Sequence, residues 1–179
     1  MHILGPLSIV AALATYVMAQ SSPQPPEMTL LYHMEVQLGE RFSLGPVPNG
    51  QERIVIPIVG GTFKGPRLSV FIDCHHCKDV QADELQGKVL NLGADWRLTD
   101  KDGKIRPDAR YNIQTDDGAW IYVQTEGPTQ SDGRTLLRGK FETATNGTYN
   151  WLNDVVAVGV LTRNGTEGVI IDMWEANAP

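Results

Sequence analysis

The residues whose types and spacing most invite chemistry lie in VFIDCHHCKDVQADELQ, positions 70 to 86. This segment holds both cysteines of the chain, Cys74 and Cys77, and two of its four histidines, His75 and His76. A Cys-x-x-Cys pair is a redox centre where a helix N-terminus lowers a thiol pKa, and no strand-then-helix pattern surrounds this one. Zinc takes thiolate and imidazole too, but a closed site needs four donors and the sequence offers no second Cys or His pair. A solvated loop with an incidental disulfide is the plainer reading and outranks both.

A fourth reading is genetic. Val70 is encoded by GTN and so can open an intron, Gln86 can be CAG and close one, and Ala82-Asp83 can be GCTGAC, a fungal-type branch sequence. Seventeen codons preserve the frame; Phe71 is the one mismatch with the donor consensus. We favour a retained intron over a working insertion, and a messenger that keeps these codons would sink that reading. No metal or redox cofactor is expected. Outside this segment and the first residues, His33 is the only histidine, which leaves no Ser/His/Asp constellation. Gly60-Gly61 opens no helix and forms no dinucleotide or phosphate fingerprint.

The remaining chain must supply elements that position any site. Helical periodicity is nearly absent. Short runs rich in Val, Ile, Thr and aromatics predict strands over Met28 to Leu38, Glu52 to Lys64, Gly87 to Leu98, Ile105 to Thr115, Ala119 to Glu126, Thr135 to Thr145, Asp154 to Thr162 and Gly168 to Glu175. Asp102-Gly103, Asp117-Gly118, Asp132-Gly133 and Asn164-Gly165 between them suit tight hairpins. About eight hairpin-linked strands predict an all-β, antiparallel barrel, with a β-sandwich as the alternative.

At 179 residues the chain suits one domain, placed at 28–176. Residues 1–19 read as a secretory signal peptide, although their n-region lacks Lys and Arg, and 20–27 as a proline-rich linker. No other run has membrane-spanning length. Secretion, or delivery to the secretory-pathway lumen, would fit the glycosylation sequons at Asn146 and Asn164. A formal charge of -6 without clustered Lys and Arg argues against a nucleic-acid partner. Oligomeric state is not legible.

The stretches IVGGTFKGPRL, GKVLNLGADW, ARYNIQTDDGAWIYVQTEG and YNWLNDVVAVGV, in that order, resemble the small β-barrel family called domain of unknown function 3237. The resemblance covers nearly the whole mature length once 70–86 is set aside. It implies a barrel like that of allene oxide cyclase and a cofactor-free reaction on a hydrophobic aromatic small molecule. The fungal activity associated with the family is intramolecular hydroalkoxylation, in which a phenol adds across a prenyl alkene and closes a dihydrobenzofuran-type ether. The alternative is a non-catalytic barrel that binds or steers such a molecule; a filled, exported barrel without a pocket is a third.

Such a reaction needs an acid, a sheltering wall and an orienting donor. Asp95 is the first candidate acid, because a buried carboxyl keeps its proton near neutrality; a turn-capping role is its competitor. Glu35 is the second, on a face it shares with His33 and Gln37, opposite Tyr32, Met34, Val36 and Leu38. Trp96, Trp120, Tyr122 and Trp151 are candidates for an aromatic wall, with ordinary packing as the competing role. Arg110 and Tyr111 adjoin, so only one of them can face the lumen of a regular strand: Tyr111 as donor or relay, or Arg110 against a phenolate. The same parity separates Asp95 from Trp96 unless Gly93 marks a bulge.

Overall fold

The computed structural model describes residues 22–66 and 85–179. The expected signal peptide and Cys74, His75, His76 and Cys77 lie outside the described residues. Leu85 and Gln86, the last two residues of the suspected intron, lie within them.

All eight expected strands are present: β1 (Glu27–Leu38), β3 (Glu52–Lys64), β4 (Gln86–Thr99), β6 (Asp108–Thr115), β7 (Trp120–Glu126), β8 (Thr135–Thr143), β9 (Ala157–Asn164) and β10 (Gly168–Asn177). They pair in the order β3-β1-β10-β9-β8-β7-β6-β4, every pair antiparallel, and β4 returns to β3 to close the barrel. Closure leaves none of the eight with a free edge. Two short strands are additions. β2 (Phe42–Pro46) extends the β1 side of β3, and β5 (Ile105–Arg106) is split from β6 by Pro107, which has no N–H to give to a ladder. A 3-10 helix at Asn150–Asp154 replaces the expected start of β9.

The expected hairpin glycines carry the predicted positive φ, +76° at Gly103, +95° at Gly118, +84° at Gly133 and +65° at Gly165. No Asp or Asn beside them does. At Thr115 to Ala119 the Gly118 N–H bonds to the Thr115 carbonyl at 2.9 Å and the Thr115 N–H to the Ala119 carbonyl at 3.0 Å. This is a turn closed by a left-handed glycine rather than the two-residue primed turn that Asp-Gly first suggests.

Strict alternation of burial in β6 and β7 fixes the inward set: Ala109, Tyr111, Ile113 and Thr115, then Ile121, Val123 and Thr125. Tyr32 lies at the centre with no exposed surface, its ring edge-on to Phe63 at 6.0 Å and Phe141 at 6.2 Å. One end is stoppered by Leu31, Leu85, Tyr149 and Leu152, and the Tyr149 hydroxyl donates to Asp117 at 3.3 Å. At the opposite end, here called the mouth, the inward-facing Leu38, Ile54, Leu161 and Val169 are only half-buried.

The sense of β1 is the reverse of the one that would place Glu35 in the lumen. Tyr32, Met34 and Val36 point in, while His33 and Glu35 are exposed on the outer wall. The apolar set removes more hydrocarbon from water when it faces in, and that decides the orientation.

Candidate functional site

Asp95 faces inward near the mouth. It pairs in register with Ile56 of β3 and Ala109 of β6, both buried, so its side chain shares their face. Its Oδ1 accepts the Asp108 N–H at 2.9 Å, which leaves Oδ2 for another donor. The capping role expected of Asp95 is therefore real, but it serves the start of β6 rather than the turn at Gly93-Ala94. Burial raises its pKa from 3.8 to about 6; the Asp108 N–H and the Arg97 charge pull the other way, and the Asp108 carboxylate adds to the rise. The result is a carboxyl that can hold or release a proton close to neutrality.

Arg97, two residues on, shares this face opposite Ile54 and is only 8% exposed. Burial lowers its pKa, Asp95 raises it, Arg41 and Arg163 lower it again, and Glu52 raises it. Sequence reasoning passed over Arg97, although its spacing from Asp95 in GADWR was the available signal.

Tyr111 sits one step deeper than Ala109, diagonal to Asp95, a relation that puts the two backbones roughly 7 to 8 Å apart. The parity question is settled: Tyr111 is in, at 1% exposure, and Arg110 is out, pairing with Asp108 at 3.1 Å. Gly93 lets β4 come this close, since a Cβ there would stand 2.7 Å from the Tyr111 Cβ. Burial raises the Tyr111 pKa, with Tyr32 and Thr125 pulling it back; burial and then Tyr111 raise that of Tyr32. Both hydroxyls are buried without a hydrogen bond of normal geometry. They stay protonated near neutrality and can orient a partner, and a neutral hydroxyl can pass on a proton by accepting one as it donates another.

The other candidates are not brought to this place. Glu35, with its side chain 60% exposed, lies outside next to His33, whose Nδ1 meets Asp172 Oδ1 at 2.6 Å. It borders an outer cleft of about 280 Å³ with Gln37, Thr62, Asn164 and Glu167. Trp96 pairs with Val55 on the outer face, so the irregularity before Gly93 does not bring it inside with Asp95. Tyr122 also faces out, and Trp120 is 61% exposed at the start of β7. Trp151 belongs to the 3-10 helix and packs at the stoppered end. The expected aromatic wall is thus not built from these four residues; among the described residues the buried core aromatics are Tyr32, Phe63, Tyr111, Phe141 and, at the stoppered end, Tyr149. Asn146 and Asn164 are both exposed. Among the described residues no group of three or more His, Cys, Asp or Glu could hold a metal ion. No described helix is long and apolar enough to cross a membrane.

A closed eight-stranded antiparallel barrel with an acid and a buried guanidinium at one mouth is the class of protein this chain defines. It belongs to the family described as Protein of unknown function (DUF3237), whose model matches residues 26–176. A UPF0311 protein of Rhodopseudomonas palustris is 30% identical over 167 residues, covering 83% of this chain and 95% of that one. The hydroalkoxylation enzyme phnH of Penicillium herquei is 28% identical over 155 residues, 87% of each chain. Among solved structures, a β-barrel like protein from Acinetobacter baumannii matches with a TM-score of 0.70 and 31% identity, over 88% of this chain and 100% of that one. An enzyme from Penicillium herquei matches with a TM-score of 0.63 and 25% identity, over 88% and 99%. Relatives occur in bacteria as well as in a fungus, so membership does not by itself make the chain fungal.

Proposed function

We propose that the protein is a cofactor-independent cyclase that closes a prenylated phenol to a cyclic ether by intramolecular hydroalkoxylation. The observation that carries this reading is Asp95: an inward carboxyl with a pKa near 6 at the apolar mouth, in a chain related to a protein named for that reaction. On a phenol bearing an ortho 1,1-dimethylallyl group, the Asp95 O–H protonates the terminal alkene carbon, so the π bond breaks and cationic character develops at the internal carbon, where closure gives a five-membered dihydrobenzofuran ring and a new stereocentre. The phenol oxygen forms the C–O bond there and returns its proton to the Asp95 carboxylate, which restores the acid. The hydrocarbon of a bound substrate would cover the half-buried Leu38, Leu161 and Val169 and so displace water, the competing nucleophile, from the cation.

Asp95→Asn keeps an acceptor for the Asp108 N–H but has no acidic proton. Turnover is expected to fall by about 100-fold or more, the usual worth of a positioned acid, with ligand affinity nearly unchanged by calorimetry. Unchanged turnover would remove Asp95 from the mechanism. A second reading, a barrel that binds a hydrophobic small molecule without converting it, is favoured by the filled middle around Tyr32. It predicts binding at the mouth and no turnover to lose. The proposed secretory location is supported by the exposure of both sequon asparagines.

A further inference from the structure

Arg97 is a buried charge with an unfilled donor. Its Nε is buried and has no hydrogen-bond partner, whereas arginines this deeply buried are ordinarily paired. Asp95 stands two residues away on the same face, yet its Oδ1 is committed to the Asp108 N–H and it does not satisfy Arg97 Nε. Two more guanidiniums, the exposed Arg41 before β2 and Arg163 near the end of β9, lie close enough to act on Arg97. Glu52 is the carboxylate that acts on it besides Asp95, and Glu52 Oε1 already accepts the Ser43 hydroxyl at 2.7 Å. The carboxyl groups of this set, Asp95 and Glu52, are already engaged in hydrogen bonds, and Asp108, which acts on Asp95, is paired with Arg110. The mouth therefore holds a buried guanidinium with an unused N–H and no free carboxyl group of this set to meet it.

We propose that Arg97 is the seat of a ligand carboxylate, and that the molecule entering the mouth is a hydrophobic aromatic carboxylic acid. A carboxylate meets the side of a guanidinium with two parallel bonds, to Nε and the neighbouring Nη, whereas a phenolate has one oxygen to offer. The apolar body of the acid then lies against Leu38, Leu161 and Val169, and its charge is drawn in by Arg41 and Arg163. Under the cyclase reading, on which this last clause rests, the same grip holds the prenyl alkene towards Asp95.

The test is isothermal titration calorimetry of the full chain with 3-(1,1-dimethylallyl)-4-hydroxybenzoate and with its methyl ester. The acid is expected to bind about ten-fold or more tighter than the ester, as for loss of a charge-assisted bidentate pair. Arg97→Ala should abolish that preference and leave ester affinity alone, and Arg97→Lys should restore part of it. The double variant Arg41→Ala/Arg163→Ala changes only exposed side chains, so it remains informative if Arg97→Ala fails to fold. It should weaken the acid by about three-fold or more and flatten the dependence on salt. No binding of the acid, equal affinity for acid and ester, or full acid affinity in the double variant or a folded Arg97→Ala would overturn the proposal. Binding is read without turnover, so the two readings separate. Acid preference without ring closure keeps the seat and removes the cyclase; ring closure with equal KM for acid and ester does the reverse.

Discussion

Asp95 owes its raised pKa to burial only partly offset by a backbone donor and a guanidinium, and this has a consequence for stability. A carboxyl whose pKa is higher folded than unfolded stabilises the fold when protonated. That contribution is complete below the unfolded value of 3.8 and is lost as the pH rises through about 6. The displacement is worth about 3 kcal/mol at full value, and solvent at the half-buried mouth reduces it to ~1. Asp95→Asn, neutral at every pH, should therefore melt above the wild type at about pH 8 and converge with it near pH 3. Melting curves that stay parallel across this range would deny that Asp95 is strained when charged. The same titration should show in catalysis as a rate that falls above about pH 6 in the wild type. At this scale the sequence announced Asp95 and Tyr111; for Arg97 the two-residue spacing from Asp95 gave the shared face, but its burial depends on what lies across the sheet, here Ile54.

Among the elements, the β3–β4 connection carries the sharpest structural consequence. Phe63 pairs with Gly87 and Lys64 with Gln86, and the Gly65 N–H bonds to the Leu85 carbonyl at 2.9 Å. Deleting 70–86 would bring Leu68 and Ser69 to the places of Leu85 and Gln86. Pro66-Arg67 would then be the whole loop of a two-residue hairpin, and because proline fixes φ near −65° that loop would have to be a type I or II turn and not a primed one. The register is conserved without adjustment, as expected if the segment is foreign to the barrel. The deletion variant should fold, with a melting temperature equal to or above that of the full chain, since shortening a loop lowers its closure entropy cost. A melting temperature lower by several degrees would mean that 70–86 contributes to the fold. Strand positions were legible because alternation and turn residues are local signals; β2 was not, because Gly45 and Pro46 make Phe42–Pro46 look like a turn.

Across the whole molecule, closure turns a set of two-faced strands into an inside and an outside, and the sequence alone could not say which face was which. In β1 the sets Tyr32, Met34, Val36 and His33, Glu35, Gln37 are both visible, and the apolar set turns in because a lumen lined by Phe63 and Phe141 gives it hydrocarbon to pack against. Trp96, Trp120 and Tyr122 misled for the same reason, since large rings on an outer wall look identical in sequence to rings in a lumen. The filled centre then confines any ligand to the mouth, where among the described residues Asp95 and Arg97 face inward and Arg163 pairs with the inward Val169. The most direct test of the account is chiral chromatography of a phenol bearing an ortho 1,1-dimethylallyl group, incubated with the purified chain and with Asp95→Asn. An enantioenriched cyclic ether formed by the wild type and lost in the variant is the predicted result. Racemic ether at the uncatalysed rate from both, with both proteins folded, would contradict it.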